Sequence, residues 1–344
     1  MRFALFTNTG IGNLIFLLPL ANALSKKGSV DLISDSVFQS EKILDGISNH
    51  PFDNIIPSHH RSAYIKAIAA SVLRKYDIAF LDYFSSGRKN LIIANCIARQ
   101  VVTNRIPAEL PGFALRKVRF CPPAKDVLEF TQYMRFINPD FGNEDLRNAM
   151  PTYQAKKAVE NLPSAYITIQ PGTGNNETPW KTWPVDRFRK LIELVGEKYP
   201  SLSIVLIGDE NEKWLAEYFS DLENTQSLVG RLKLEELPGV IAGARAHIGG
   251  DSGPAHVAGI VGTPSVVVFG ATDPKLLSWH FVDPEKHKCL ASNPPCHPCY
   301  RPYLPNHTRV SHPSQCPDFN CIKSIQPEQV FAELVKLMQH AVVE

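Results

Sequence analysis

The chain has 344 residues, more than one hydrophobic core usually serves, so its length predicts two domains of about 150–200 residues each. Hydrophobic residues are 44% and charged residues 20%, which allows a sizeable core and excludes wholesale disorder. Lys+Arg at 36 against Asp+Glu at 34 leaves a net charge of +2, no ground for a nucleic-acid partner.

The charge is uneven: residues 1–150 hold 18 basic and 13 acidic side chains (net +5) and the rest 18 and 21 (net −3). A basic first half suits an anionic partner or a membrane surface, and is equally compatible with ordinary surface variation. No run of about 20 apolar residues predicts a membrane-spanning helix. Leu14–Leu24 has the apolar character of an export signal, but a strand-like Phe3-Ala4-Leu5-Phe6 precedes it, Asn8, Asn13 and Asn22 interrupt the apolar start and no small-residue cleavage site follows, so the expected location is cytoplasmic.

Strand and helix patterns alternate along the chain. Arg2–Thr7 predicts a strand, Leu14–Lys26 a helix, Ser29–Ser34 a strand and Ser62–Lys75 a helix. Ile78–Tyr83 predicts a strand, Lys89–Arg99 a helix, Val101–Asn104 a strand, Phe113–Asp126 a loop and Val127–Phe136 a helix. Asn138–Leu162 is polar and predicts a linker. The scheme then repeats: strand Ala165–Gln170, helix Val185–Lys198, strand Ser203–Ile207, helix Glu210–Phe219, helix Leu234–Ala244, strand Ala246–Ile248, helix Gly253–Val261 and strand Ser265–Phe269. A stretch rich in Pro, Cys and His follows Thr272, before a last helix at Pro327–Val342 with Pro at its first turn. Such alternation predicts two doubly wound α/β domains, each a parallel sheet covered on both faces, with ligands at the carboxyl ends of the strands.

Four segments carry candidate chemistry. Thr9-Gly10-Ile11-Gly12-Asn13 joins the first strand to the first helix. It matches the first two glycines of a dinucleotide fingerprint but has Ile15 at the third, so a nicotinamide oxidoreductase and a plain tight turn both stay open. Gln170-Pro171-Gly172-Thr173-Gly174 continues to Trp180-Lys181-Thr182-Trp183-Pro184 and offers backbone N–H groups, a hydroxyl and a lysine charge to phosphate oxygens. Ile207-Gly208-Asp209-Glu210-Asn211-Glu212 places acids where ribose hydroxyls could be held, or where they only complement a helix dipole. His247-Ile248-Gly249-Gly250-Asp251-Ser252-Gly253-Pro254-Ala255-His256 runs from strand through a glycine turn into a helix. Asp251 and Ser252 suit helix capping, while the free N–H groups after Ser252 suit a diphosphate.

In this order the four segments resemble glycosyltransferase family 9, the ADP-heptose–lipopolysaccharide heptosyltransferases, and the resemblance covers nearly the whole chain. Its most specific part is Gly250-Asp251-Ser252-Gly253-Pro254-Ala255-His256, then Gly262-Thr263-Pro264-Ser265 and Phe269-Gly270-Ala271-Thr272-Asp273-Pro274. The resemblance implies a GT-B fold of two Rossmann-like domains facing a cleft: an acceptor domain at 1–155, a nucleotide-sugar domain at 156–325, and a final helix at 326–344 returning to the first domain. It implies an inverting transfer of heptose or a related sugar from an ADP-sugar to the lipopolysaccharide core or a related lipid-linked glycan, with peripheral contact at the inner membrane and no cofactor needed for catalysis. The donor would be bound by Thr173, Gly174, Lys181, Glu212, Leu232, Asp251, Ser252, Gly253 and His256. Lys181 and His256 would assist the leaving phosphate, and Gly10, Gly12 and Asn13 would lie on the acceptor side.

One position departs from the family. Its catalytic Asp falls at Asn13, and an amide cannot take the proton of an attacking hydroxyl. A non-catalytic or weakly active sugar-nucleotide-binding relative, another donor or a protein acceptor therefore remain alternatives. Of the seven cysteines, Cys296, Cys299, Cys316 and Cys321 form a C-x2-C…C-x4-C pattern. Four thiolates so spaced could hold structural zinc or iron, with His297 and His312 to spare, or could remain thiols or pair as disulfides; Cys-rich tails in family relatives point the same way.

Overall fold

The computed structural model describes residues 1–7, 10–35, 37–58, 76–82, 85–107, 112–115, 117–122, 126–128, 131–174, 178–300 and 313–340. The chain divides into two compact units. The first comprises Met1–Asp45 and Asn49–Pro151; the second takes Gly46–Ser48 and the described residues from Thr152 onward. The expected helix at Ser62–Lys75, and with it Thr9 and His312, lies outside the described residues.

The first unit runs β1 (Arg2–Thr7), α1 (Ile11–Ser25), β2 (Ser29–Ser34), α2 (Val37–Asp45), β3 (Asn54–Pro57), β4 (Tyr76–Leu81), α3 (Arg88–Ile97), β5 (Ala98–Thr103), α4 (Gly112–Leu115), β6 (Val118–Phe120), α5 (Met134–Ile137) and α6 (Asn143–Ala149). Its six strands are parallel in the order β3-β2-β1-β4-β5-β6. β1 is apolar from Phe3 to Phe6, as suits a strand with both faces buried. α1 buries nine residues from Leu14 to Leu24, as a helix apolar on all sides must.

The second unit contains β7 (Tyr166–Gln170), α7 (Val185–Lys198), β8 (Ser203–Leu206), α8 (Trp214–Tyr218), β9 (Thr225–Ser227), α9 (Leu237–Ala242), β10 (His247–Gly250), α10 (Gly253–Val261), β11 (Ser265–Phe269), α11 (Pro274–Leu277), β12 (His287–Ala291), α12 (Asn320–Lys323) and α13 (Pro327–His340). Its parallel order is β12-β11-β10-β7-β8-β9. Each sheet therefore reads third, second, first, fourth, fifth, sixth strand, and each has its topological switch point between the first and fourth strands, at β1/β4 and at β7/β10.

Several expectations change. The helix expected at Glu210–Phe219 is a 3-10 turn at Glu210–Glu212 followed by α8, because Asp209 and Glu212 cap one another's backbone N–H groups and close the turn early. The helix expected at Val127–Phe136 shortens to a 3-10 turn at Thr131–Tyr133 and α5, and the linker region contains α6. Four strands went unforeseen, and they are the outermost of the two sheets: β3, β6, β9 and β12. The last helix, expected to return to the first domain, belongs to the second unit. Val330, Leu334, Leu337 and Met338 of α13 join the core built on Ile167, Trp183, Phe188 and Val266, and α13 packs on α7 and β11. Its apolar stripe matches a surface already assembled around Trp183, whose indole donates to the Ile325 carbonyl at 3.0 Å.

A buried charge array at the second switch point

β7 and β10 lie side by side, with Gly249 opposite Gln170, so the loops leaving their carboxyl ends meet. The loop after β7 carries Lys181; the turn after β10 carries Asp251 and Ser252 and opens α10. Asp251 is almost wholly buried. Its Oδ2 receives Lys181 Nζ at 2.8 Å, and its Oδ1 lies 3.5 Å from His256 Nε2, one turn into α10. Burial by itself would raise the Asp251 carboxyl, but the Lys181 charge and the His256 contact outweigh it and hold the group well below the usual carboxylate range. Lys181 keeps 23% of its side chain exposed, an anchored cation that still reaches solvent.

Ser252 is the N-cap of α10 but makes no capping hydrogen bond with its side chain. Its hydroxyl instead donates to Gln170 Oε1, tying the two strand ends together. The expected capping by Ser252 is thus absent, and the first turn of α10 keeps backbone N–H groups that no side-chain cap from Ser252 covers, at the positive end of the helix dipole. Gly253 sits there, with Pro254 after it.

Thr173, Gly174 and Glu212 form a neighbouring group. Glu212 Oε1 accepts from Gly174 N at 2.8 Å and Oε2 from Asp209 N at 3.0 Å; burial raises its carboxyl against these N–H donors. Thr173 shares its hydroxyl with Thr178 and Thr182, each at 3.1 Å. Leu232 is half-buried just beyond Gly230, whose N–H bonds the Gly208 carbonyl at 3.1 Å. Two glycines of these loops, Gly172 and Gly250, are taken up by the protein's own packing. A Cβ at Gly172 would run into the Glu212 carboxylate, and one at Gly250 would stand 2.8 Å from the Lys181 carbonyl.

Gly10, Gly12 and Asn13 belong to the other unit, where Gly10 is the N-cap of α1 without a side-chain cap bond. Sequence reasoning placed Gln170 and His247 at the heads of two candidate segments but gave neither a role. His247 is fully buried, with Nδ1 3.0 Å from Thr168 Oγ1, and burial followed by the charge of His256 lowers it to about 3. The signal for it was available: a histidine inside an otherwise apolar central strand.

The four clustered cysteines are free of disulfides. Burial raises the Cys299 and Cys321 thiols, Cys321 to about 11, and the neighbouring sulfurs of Cys296 and Cys316 raise them further. Cys299 and Cys321 thus lie near the other two sulfurs, and four thiolates are a donor set that suits a soft cation. Among the described residues, though, no three His, Cys, Asp or Glu side chains are already gathered as the ligands of one ion.

Residues 135–305 match the family model described as "Glycosyltransferase family 9 (heptosyltransferase)". "Lipopolysaccharide heptosyltransferase 1" of Salmonella typhimurium is 32% identical over 100 residues, a stretch that covers 28% of this chain and only 30% of the relative's length. Among solved structures, the glycosyl transferase family 9 protein from Veillonella parvula superposes with a TM-score of 0.71 at 15% identity, covering 98% of this chain and 97% of that one. The E. coli ADP-heptose lps heptosyltransferase II gives 0.68 at 16% identity, covering 99% of each. These superpositions establish the fold, two parallel six-stranded sheets with helices in the GT-B manner.

Proposed function

The chain belongs to glycosyltransferase family 9, and from that premise we propose that it is an inverting glycosyltransferase carrying heptose, or a related sugar, from an ADP-sugar to the lipopolysaccharide core or a related lipid-linked glycan. The observation that carries this reading is the Lys181–Asp251–His256 array beside the uncapped start of α10. Lys181 and the α10 N–H groups would take the charge that builds on the departing diphosphate. Asp251 would not touch the phosphates; buried, it fixes Lys181 and His256 in place. Glu212, in the 3-10 turn that follows β8, would turn its remaining acceptor capacity to the ribose. The acceptor hydroxyl would attack the anomeric carbon as the bond to the diphosphate oxygen breaks, and its proton must pass to a base. The reaction would take place at the cytoplasmic face of the inner membrane.

Asn13 favours a second reading, a sugar-nucleotide-binding relative with little turnover. Titration calorimetry with ADP-heptose and the corresponding UDP- and GDP-sugars, beside a transfer assay, separates the two. Expected for the transferase are binding of the ADP-sugar, loss of that binding in Lys181→Ala, and measurable transfer. Because a positioned general base contributes roughly 10²–10⁴-fold, Asn13→Asp should raise turnover strongly without changing donor affinity if the wild type lacks a base. Donor binding that survives Lys181→Ala refutes the site.

For the cysteines we propose a structural zinc or iron held by Cys296, Cys299, Cys316 and Cys321, with no role in transfer. Elemental analysis of the purified chain should find about one metal per chain, and Cys299→Ser should lose it together with thermal stability.

A further inference from the structure

Gln170 is a polar side chain to which the proposed transfer gives no task, and only 4% of it is exposed. It ends β7, and strand alternation puts it on the face of Tyr166 and Thr168. Ile167 and Ile169 point the other way, into the core shared with α7 and α13. α10 covers the Gln170 face: Thr168, His247 and Ser265 stand abreast on β7, β10 and β11, and Ala255 of α10 packs on Val267 and Phe269, further along β11. The neighbour of Gln170 on β10 is Gly249. A Cβ there would stand 3.4 Å from Gln170 Cβ, so the bare glycine leaves the amide uncovered from that strand.

A glutamine amide carries an acceptor oxygen and two N–H donors. The oxygen is committed, because Ser252 Oγ donates to Gln170 Oε1; among the described residues Nε2 makes no hydrogen bond. With Oε1 anchored, Nε2 lies within one hydrogen bond and one amide width of Ser252, the N-cap of α10. Its donors thus join the same patch as the α10 N–H groups and the Lys181 ammonium. Ser252 gives up a stabilising cap to hold the amide in this orientation, and a neutral N–H donor strengthens a phosphate site without placing a second charge beside Lys181. We propose that Gln170 contacts the sugar nucleotide, presenting Nε2–H to a diphosphate oxygen at the start of α10, with Ser252 as the residue that positions it. This deepens the reading of a nucleotide-diphosphate site and rests on it.

The test is titration calorimetry of the full chain with ADP, with melting temperatures taken without ADP to follow the fold. Gln170→Met keeps the length of the side chain and loses its donors, and should weaken ADP binding at least about tenfold, as loss of a hydrogen bond to a charged group does. Gln170→Glu keeps the outline and the bond from Ser252 but turns an anionic oxygen on the phosphates, and should weaken binding more than Gln170→Met. A measurement on the unaltered chain stands beside these variants and needs neither to fold. With ¹⁵N-labelled glutamine, the side-chain amide signals of Gln170 should shift as ADP saturates the protein. Wild-type affinity in both variants overturns the proposal, and so do amide signals that stay in place at saturating ADP. A loss in Gln170→Met with none in Gln170→Glu also overturns it, since the bond to Ser252 and not the N–H donors would then matter. In these three outcomes the nucleotide site still stands if Lys181→Ala abolishes binding, whereas failure of the unaltered chain to bind ADP overturns both.

Discussion

The fourth strand of each sheet is followed directly by a buried aspartate, Asp82 after β4 and Asp251 after β10. Their surroundings differ. Asp82 closes a local turn: its carboxylate accepts from Ser85 N, and its own N–H donates to Ser85 Oγ at 2.9 Å. Asp251 reaches across to Lys181, seventy residues earlier in the chain, and faces His256. One topology has thus been given a serine-bonded turn in one unit and a long-range charge array in the other. The difference is that the second switch point receives a charge delivered from another loop and the first does not hold its aspartate that way.

The comparison breaks most visibly at Asp251. Removing one partner of a buried ion pair typically costs about 3–5 kcal/mol, because the remaining charge is left uncompensated. Asp251→Ala should therefore lose about that much stability in urea denaturation and lose nucleotide affinity in calorimetry. Stability falling with affinity intact would mean that the array is architectural only.

Acid should act next. His247 and His287 are fully buried in the second unit, and burial lowers them to about 3 and about 4. In the unfolded chain both titrate near 6.5 and bind protons that the native state refuses, so stability is complete above about pH 6.5 and is lost as pH falls toward 4. Each group contributes a slope of at most about 1.4 kcal/mol per pH unit. All four tryptophans, Trp180, Trp183, Trp214 and Trp279, lie in the second unit, so its acid unfolding is readable by intrinsic fluorescence. His247→Gln should flatten the pH dependence by about one group's share; an unaltered slope would remove His247 from the account.

Asp82→Ala should have the smallest effect. It leaves the Ser85 N–H without its acceptor, at a cost of about 1–3 kcal/mol, and nucleotide affinity should not move. A loss of affinity comparable to that of Asp251→Ala would erase the distinction between the two turns.

The inner strands were legible in the sequence and the outer ones were not, for a single reason. β1, β2, β4, β5, β7, β8, β10 and β11 have neighbours on both sides and are largely buried, so they read as apolar runs. β3, β6, β9 and β12 are short and mostly half-buried or exposed; only the neighbouring strand makes them strands. The same division holds at the site. The glycine turn at 249–253, its helix and Lys181 as a candidate cation could be read locally, because local propensity dictates them. That Lys181 turns to Asp251, that Ser252 bonds Gln170 instead of capping α10, and that Gly172 yields its space to Glu212 were settled by tertiary contact. Such pairings depend on which loops the parallel sheet brings together, and spacing along the chain carries no record of them.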